Sequence, residues 1–478
     1  MLRRRFHNPL DPTAKAFGSS VTEDAVLLAP DLLSSLAHVR MLRRQGLLTS
    51  KDARALIRVL GGLLGRARTG TFALDPDLED VHMNVESEVT RVLGDVGARL
   101  PTGRSRNDLV ATDILLYLRT ALLDIIERVL DSQEALLHHA EGASGRFVYP
   151  AATHLQDAQC VYLGQWLQVH AHRFARDAER LREIRERIRT CPLGSGAVAG
   201  SSLPLDPRYT AKLLGFEEAA SNSIDAVSDR DASLETLLAI SVLGVHVSGL
   251  AEEWVLWSTS QFGRLRLDDA FVTTSSLMPH KRNPDMAELL RAEAGALTGL
   301  ATAYLAVLKG LPLSYNRDLQ VGKRIVIEGI ERARKALTLL PTMISSAHFL
   351  PPPKSAPGRA TASVEVANAL VEKGVPFRIA HERVAQHLRD VEEEGGVPFG
   401  TDFGRWARDF PELSTAGWKV PSPAEEPEVR RTYGGSSLSE VRRDRNALRT
   451  ALRNMRSYAS VERDREARIQ ARLCSGPL

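Results

Sequence analysis

The sequence predicts an all-α protein organised around a long central helical bundle. Three observations carry that expectation. From about Asn107 to Ala140 there is no Pro and no Gly, and apolar residues recur at spacings of three and four. Helix over that stretch would span roughly 50 Å, too long for an average globular helix and suited to a bundle. Comparable runs follow at about 155–190, 228–262, 285–309 and 318–348. The apolar content is mainly Leu, Ala and Val, with only 5% aromatics, which favours helix over strand. Several runs are apolar on more than one side and need neighbours all round. Five long helices are therefore expected in one bundle, with bundles packing on each other in a homo-oligomer whose core is the middle of the chain.

The elements follow in order. Residues 1–104 read as a helical N-terminal domain. Ser50 can cap a helix that runs through the apolar positions from Leu56 to Leu64, and another amphipathic run passes through Ser34–Val39. Glu79–Glu86 opens a further helix with acidic residues at the end the macrodipole favours. His82 in that segment reads as a buried or capping histidine. Residues 105–353 hold the bundle. Residues 354–478, beyond Pro351-Pro352-Pro353, read as a small helical C-terminal domain. There a helical pair over 360–395 breaks at Gly374-Val375-Pro376, and Gly395 to about Pro427 is irregular. The Arg-rich helix from Glu440 to Leu473 reads as a solvated face.

Composition narrows the function. With 62 basic and 59 acidic residues the net charge is only +3, so charge gives no argument for nucleic acid as a partner. Cys160, Cys191 and Cys474 show no paired spacing, which points to a reducing compartment, with neither a disulfide framework nor a zinc site. No run approaches 18 apolar residues, so no membrane span is expected. The basic start, Met1 to Phe6, lacks the apolar core of a secretory signal. The expected location is cytoplasmic.

Polar clusters interrupt the ends of the long runs, and each suits an anionic substrate. In Thr274-Ser275-Ser276-Leu277-Met278-Pro279-His280-Lys281-Arg282-Asn283-Pro284 the two prolines forbid a continuous helix. A serine beside Lys281 and Arg282 ionises more easily, and the cations and Asn283 can hold a carboxylate. A basic surface loop is the plain alternative. Arg104-Ser105-Arg106-Asn107, opening the longest run, combines backbone N–H groups with a cation and an amide, either as an anion site or as a helix cap with surface arginines. Thr153 can cap the run after it while donating to a carboxylate, and His154 titrates near neutrality, although a lone histidine is more often structural. Asn222–Asp231 is a further polar entry, within which Asp229 and Arg230 read as a structural bridge. Tyr315-Asn316-Arg317-Asp318-Leu319-Gln320 and Lys323 add polar groups at the start of the last bundle helix. No metal-ligand spacing, no dinucleotide fingerprint and no G-x-S-x-G are present, so neither a metal nor a cofactor is expected.

These stretches resemble a known family. Ser275-Ser276-Leu277-Met278-Pro279 with Lys281, Asn283 and Pro284 is similar to the signature of the fumarase/aspartase superfamily. His82–Glu86, Thr102–Asp108, Thr153–Gln156, Asp225–Asp231, Leu311–Gln320, Lys373–Arg378 and Gly434-Gly435 look like its argininosuccinate lyase branch, over roughly residues 20–440. The resemblance implies a three-domain fold with a tetrameric core and active sites shared between subunits. It implies β-elimination of an N-substituted aspartate to fumarate and an amine, with arginine the first expectation for that amine. Ser275 would be the base, while Lys281, Ser276 and Asn283 hold the reacting carboxylate. Ser105, Arg106, Asn107 and Thr153 would clamp the succinyl part, and His154 would be the acid or proton relay. Ser20, Asp24, Tyr315, Gln320 and Lys323 would hold the amine side.

The chain departs from the family at several places. Only Arg5-Phe6 remains of a usual Trp-Gly-Gly-Arg-Phe start, Val321-Gly322 precedes Lys323 without the usual acidic residue, and Thr274 replaces a Gly. Leu109 stands for a Gln and Cys160 for a Pro. Two alternatives follow: a relative that releases fumarate from another aspartate–amine adduct, and a non-catalytic structural homologue.

Overall fold

The computed structural model describes residues 5–352, 359–399 and 403–476; the basic start before Arg5 and Pro353 lie outside them. Helix α1 (Pro12–Gly18) leads to α2 (Leu28–Arg44), α3 (Ser50–Arg68) and α4 (Val81–Leu93). The cap of α3 is Thr49 and not Ser50: its hydroxyl accepts from the N–H of Asp52 at 3.1 Å. Asp80 caps α4 by accepting from the N–H of Met83 at 2.7 Å. Helix α5 spans Arg106–Glu141, its 36 residues close to the expected run. Its start is a capping box in which Ser105 and Asp108 each satisfy the other's backbone.

The next run was expected to be helical from about 155. The chain instead forms an antiparallel hairpin, β1 (Val148–Thr153) and β2 (Gln156–Tyr162), before α6 (Leu163–Arg187) begins. Short strands β3 (Thr190–Cys191) and β4 (Glu218–Ala219) flank α7 (Pro207–Leu214), and α8 (Ser223–Ser228) leads into α9 (Asp231–Trp257). Strand β5 (Leu265–Arg266), α10 (Asp285–Leu308), α11 (Asp318–Ser345) and β6 (His348–Phe349) complete the bundle. A smaller unit follows: α12 (Ser363–Glu372), α13 (Phe377–Glu393), α14 (Phe403–Asp409), α15 (Pro411–Thr415) and α16 (Glu426–Val429). Helix α17 (Leu438–Ser475) ends the described chain.

Side-chain contacts set the helix directions. Arg187 at the end of α6 pairs with Glu235 at the start of α9, while Trp166 stacks near Trp257 with ring centroids 4.2 Å apart, so these helices are antiparallel. Helices α5 and α11 run parallel, joined by Asp124–Arg334 and by His139 with the Ile344 carbonyl. Helix α10 is antiparallel to both α9 and α11 through Arg291–Glu252 and Arg332–Glu293. One end of the bundle therefore gathers the starts of α5, α9 and α11. The other gathers the starts of α6 and α10. At 1.5 Å per residue, α5 alone separates the two ends by about 54 Å.

One continuous apolar core runs through α2–α6, α9–α11 and α17, and a second, small core is built from Val366, Leu370, Val384, Phe399, Phe410 and Leu413. The Arg-rich tail is not merely solvated: Arg449, Arg456 and Arg463 of α17 reach Glu141, Glu134 and Glu127 along α5. Two helical stretches, Glu23–Arg44 and Asp231–Trp257, are long and apolar enough to cross a membrane, which amends the sequence expectation. The first is 83% buried in the fold and the second half-buried.

Candidate active site

At the first end of the bundle, the turn before α5 is held from every side. Neutral His38 donates to the Thr102 carbonyl at 2.9 Å; burial and the charge of Arg104 push this histidine down to about 3. Arg104 donates to Ser35 and pairs with Glu86. Asp108, fully buried, accepts from the N–H groups of Ser105, Gly194 and Gly196. Its pKa is raised because burial outweighs those three bonds. Gly196 has φ +63°, and a Cβ there would meet the Gly200 carbonyl at 2.5 Å, so the loop that grips Asp108 requires glycine. The Asn107 amide donates to the Ala197 carbonyl, and Arg106 pairs with Asp80 at 3.0 Å.

The same end brings in the residues expected on the amine side. Ser20 donates to Asp24 at 2.6 Å, and Lys323 meets the other Asp24 oxygen at 2.5 Å in a pair with at most 7% exposure. Gln320 and Arg317 both donate to the Gly18 carbonyl, and Arg317 also pairs with Glu79, beside Arg106. Tyr315 is mostly buried; burial raises its pKa against the opposing pull of Arg230 and Arg317. Ser20, Asp24, Ser105, Arg106, Asn107, Tyr315, Gln320 and Lys323 thus belong to one connected neighbourhood.

Arg230 is the group that sequence reasoning undervalued. It makes no bridge to the Asp229 carboxylate; it donates to the carbonyls of Asp229 and Val227. Its Nε and Nη2 are buried without a hydrogen-bond partner, and burial lowers its pKa in spite of nearby Tyr304, Asp229 and Tyr315. Those two donors stay sealed inside the fold, with Tyr304 and Tyr315 nearby. The signal was an arginine at the very start of an apolar helix.

The other end of the bundle carries the remaining clusters. Thr273 and Asn283 exchange backbone hydrogen bonds and close the polar loop at its base. The Oγ of Ser275 accepts from the N–H groups of Leu277 at 3.2 Å and Met278 at 3.1 Å, and the N–H of Lys281 bonds the Met278 carbonyl. Ser276, Leu277 and Lys281 are exposed, while Arg282 is drawn aside to Asp269 and the Leu267 carbonyl. Thr153 and His154 sit at the tip of the hairpin and not on a helix, so Thr153 caps nothing. His154 (φ +56°) and Leu155 (φ +59°) make a two-residue turn in the left-handed region, and residues 152–157 are all exposed. Arg264, just before β5, ties the hairpin to the end of α9: it lies over Tyr149 and Trp257 and donates to the Pro150 carbonyl. Among the described residues, no hydrogen bond or ion pair joins Ser275 or His154 to the Asp24–Lys323 group. A single chain holds the two halves apart.

Comparison with known proteins completes the assignment. A sequence model of the family described as Lyase matches residues 4–299, and one described as argininosuccinate lyase C-terminal matches residues 360–401. The argininosuccinate lyase of Synechococcus elongatus is 39% identical, over 92% of this chain and 94% of that one. That of Thermus thermophilus is 38% identical, over 92% and 96%. Among solved structures, EDDS lyase in complex with formate has a TM-score of 0.79 at 25% identity, covering 98% of this chain and 95% of that one. A fumarate lyase from Mesorhizobium, at 19% identity and TM-score 0.67, shares the fold. The helical architecture is that of the fumarase/aspartase superfamily of lyases. Within it, the chain belongs to the argininosuccinate lyase family, whose members cleave carbon–nitrogen bonds.

Proposed function

We propose that the chain releases fumarate and arginine from argininosuccinate. The observation that supports this most is Ser275, whose Oγ accepts two backbone N–H bonds in a loop rich in cations. Two aligned amides favour an alkoxide, as oxyanion-hole donors do. Ser275 then takes the proton from the carbon beside one carboxylate of the succinyl group. The charge moves onto that carboxylate, held by Lys281, Asn283 and Ser276. Collapse of this dianion forms the C=C bond, breaks the C–N bond and gives the amine nitrogen a proton, for which His154 is the donor or relay. Ser105, Arg106, Asn107 and Thr153 clamp the succinyl part, and Ser20, Asp24, Tyr315, Gln320 and Lys323 bind the arginine side. Enzyme plus argininosuccinate should raise fumarate absorbance with equimolar arginine. Ser275→Ala should stay folded and lose about 10²–10⁴ in kcat, the worth of one proton-transfer group; an active Ser275→Ala enzyme removes the assignment.

A second reading has its own support. Val321-Gly322 stands before Lys323 on the amine side, and the EDDS lyase structure is similar over nearly the whole chain. Fumarate from another aspartate–amine adduct, and none from argininosuccinate, would favour that relative. No release from any adduct would mean a non-catalytic homologue.

The working form we propose is a cytoplasmic homotetramer with sites shared between subunits, built from domains 1–104, 105–353 and 354–478. Two observations support the assembly. The halves of the site lie at opposite ends of a helix about 54 Å long. Large apolar side chains also stay exposed on the bundle: Leu238 and Val245 on α9, Leu289 and Leu305 on α10, and Val169 on α6.

A further inference from the structure

The hairpin that carries Thr153 and His154 is a two-stranded ribbon, an element with little stability of its own. Among the described residues, no third strand pairs with either of its edges. At Cys160 of β2 the small C-terminal unit takes over both backbone groups. The N–H of Cys160 donates to Oε2 of Glu426 at 3.4 Å, and Arg430 donates to the Cys160 carbonyl at 2.7 Å. The other Glu426 oxygen accepts from Thr361 at 2.5 Å, and the Cys160 thiol donates to the Thr361 hydroxyl at 3.7 Å. Arg430 pairs with Glu426 and with Glu365 on α12, and Tyr162 donates to Glu428 at 2.6 Å. Glu426 is 0% exposed, Cys160 1% and Thr361 6%.

A carboxylate taken out of water this completely is costly unless each oxygen is bonded, and here each is. The residue at position 160 permits the arrangement. A proline there would have no N–H to give Glu426 and no thiol to give Thr361. Burial holds that thiol up to about 11, so it stays protonated and can donate. The contact also joins two separately cored parts: Thr361 precedes α12 of the small apolar core, Glu365 lies on it and pairs with Arg430, and β2 leads into the bundle.

We propose that Glu426, through Cys160 and Thr361, is a positioning residue that sets where the Thr153–His154 tip stands against the substrate, so that the C-terminal unit controls turnover without touching the reacting atoms. The inference rests on the proposed reading of His154 as acid or relay. Loss of the clamp therefore acts on kcat through His154 and on KM only through Thr153, the substrate-binding residue on the tip; the binding residues at the other bundle end do not pass through it.

The test uses the assembled full-length enzyme with argininosuccinate, following fumarate. Glu426→Gln is expected to lower kcat about 100-fold, the scale of a misplaced catalytic group, with a smaller rise in KM, below about tenfold, from the shift of Thr153. Thr361→Val is expected to lose about tenfold and Thr361→Ser to restore it, because only the hydroxyl matters. Adding His154→Asn to Glu426→Gln should cost nothing more, since both changes remove the same contribution. Wild-type kcat in a folded Glu426→Gln enzyme overturns the proposal, as does a loss that multiplies with that of His154→Asn. If Glu426→Gln fails to fold, the Thr361 pair decides: equal activity of Val and Ser overturns it. Full turnover in His154→Asn alone instead refutes the role of the hairpin tip, an outcome separate from every Glu426 measurement.

Discussion

His82 holds its proton where no water reaches it. Nδ1 lies 2.6 Å from Asp31 and 3.7 Å from Asp113, and Ser34 donates to Asp113 at 2.6 Å. Three such groups could suggest a cation. Two ligands of a tetrahedral zinc stand about 3.3 Å apart, however, and 2.6 Å is a hydrogen bond. Burial alone would lower the His82 pKa; the bond to Asp31 and the charges of Asp31, Asp113 and Asp80 outweigh it, and the net direction is up. Burial, then Asp31, raises Asp113 well above the usual carboxylate range. Both groups bind protons more tightly folded than unfolded: the contribution of His82 is fully present below its unfolded value of about 6.5 and fades as pH rises through the folded one, while that of Asp113 is complete only below about 3.9. Urea midpoints are expected to fall as pH rises from about 6.5 through the raised folded value of His82, with a flatter profile in His82→Asn. Lys323→Met should cost about 3–5 kcal/mol in urea unfolding, because Asp24 is left as an uncompensated buried charge. A loss below about 1 kcal/mol would mean that water reaches the pair.

At the scale of elements, the hairpin tip is strained. Leu155 sits at φ +59° without the glycine or asparagine that such turns favour. Leu155→Gly should slow amide exchange in β1 and β2 by about 1 kcal/mol of local stability. The five long helices were legible because long Leu- and Ala-rich runs with helical spacing leave one way to bury their apolar faces, and the run of α5 is also free of Pro and Gly. The hairpin was not, for a related reason. Ala152–Gln159 contains no Gly, Pro or Asn, and Leu, Gln and Ala are helix formers, so local preference and tertiary context disagree there. The site divides similarly. Polar clusters at run ends announced themselves, and His82 read as buried or capping, of which the fold shows burial. The Glu426 clamp and the burial of Arg230 beside Tyr304 depend on residues far along the chain, which spacing cannot reveal.

At the scale of the whole molecule, the exposed apolar stripe of α9 should decide assembly. Val245, 60% exposed on the isolated chain, is expected to be covered by another bundle. Val245→Glu would place a charge in that interface and should yield single chains by light scattering, with fumarate release abolished. Single chains at full activity would show that one subunit suffices. The length of α5 then has a genetic meaning. In the proposed tetramer, each copy of the protein lends its serine loop to one reaction centre and its Arg-Ser-Arg-Asn turn to another. Two alleles, one damaged at Ser275 and one at Arg106, should each be silent alone yet partly cure one another when expressed together. In mixed assemblies some centres draw both intact parts from different parents.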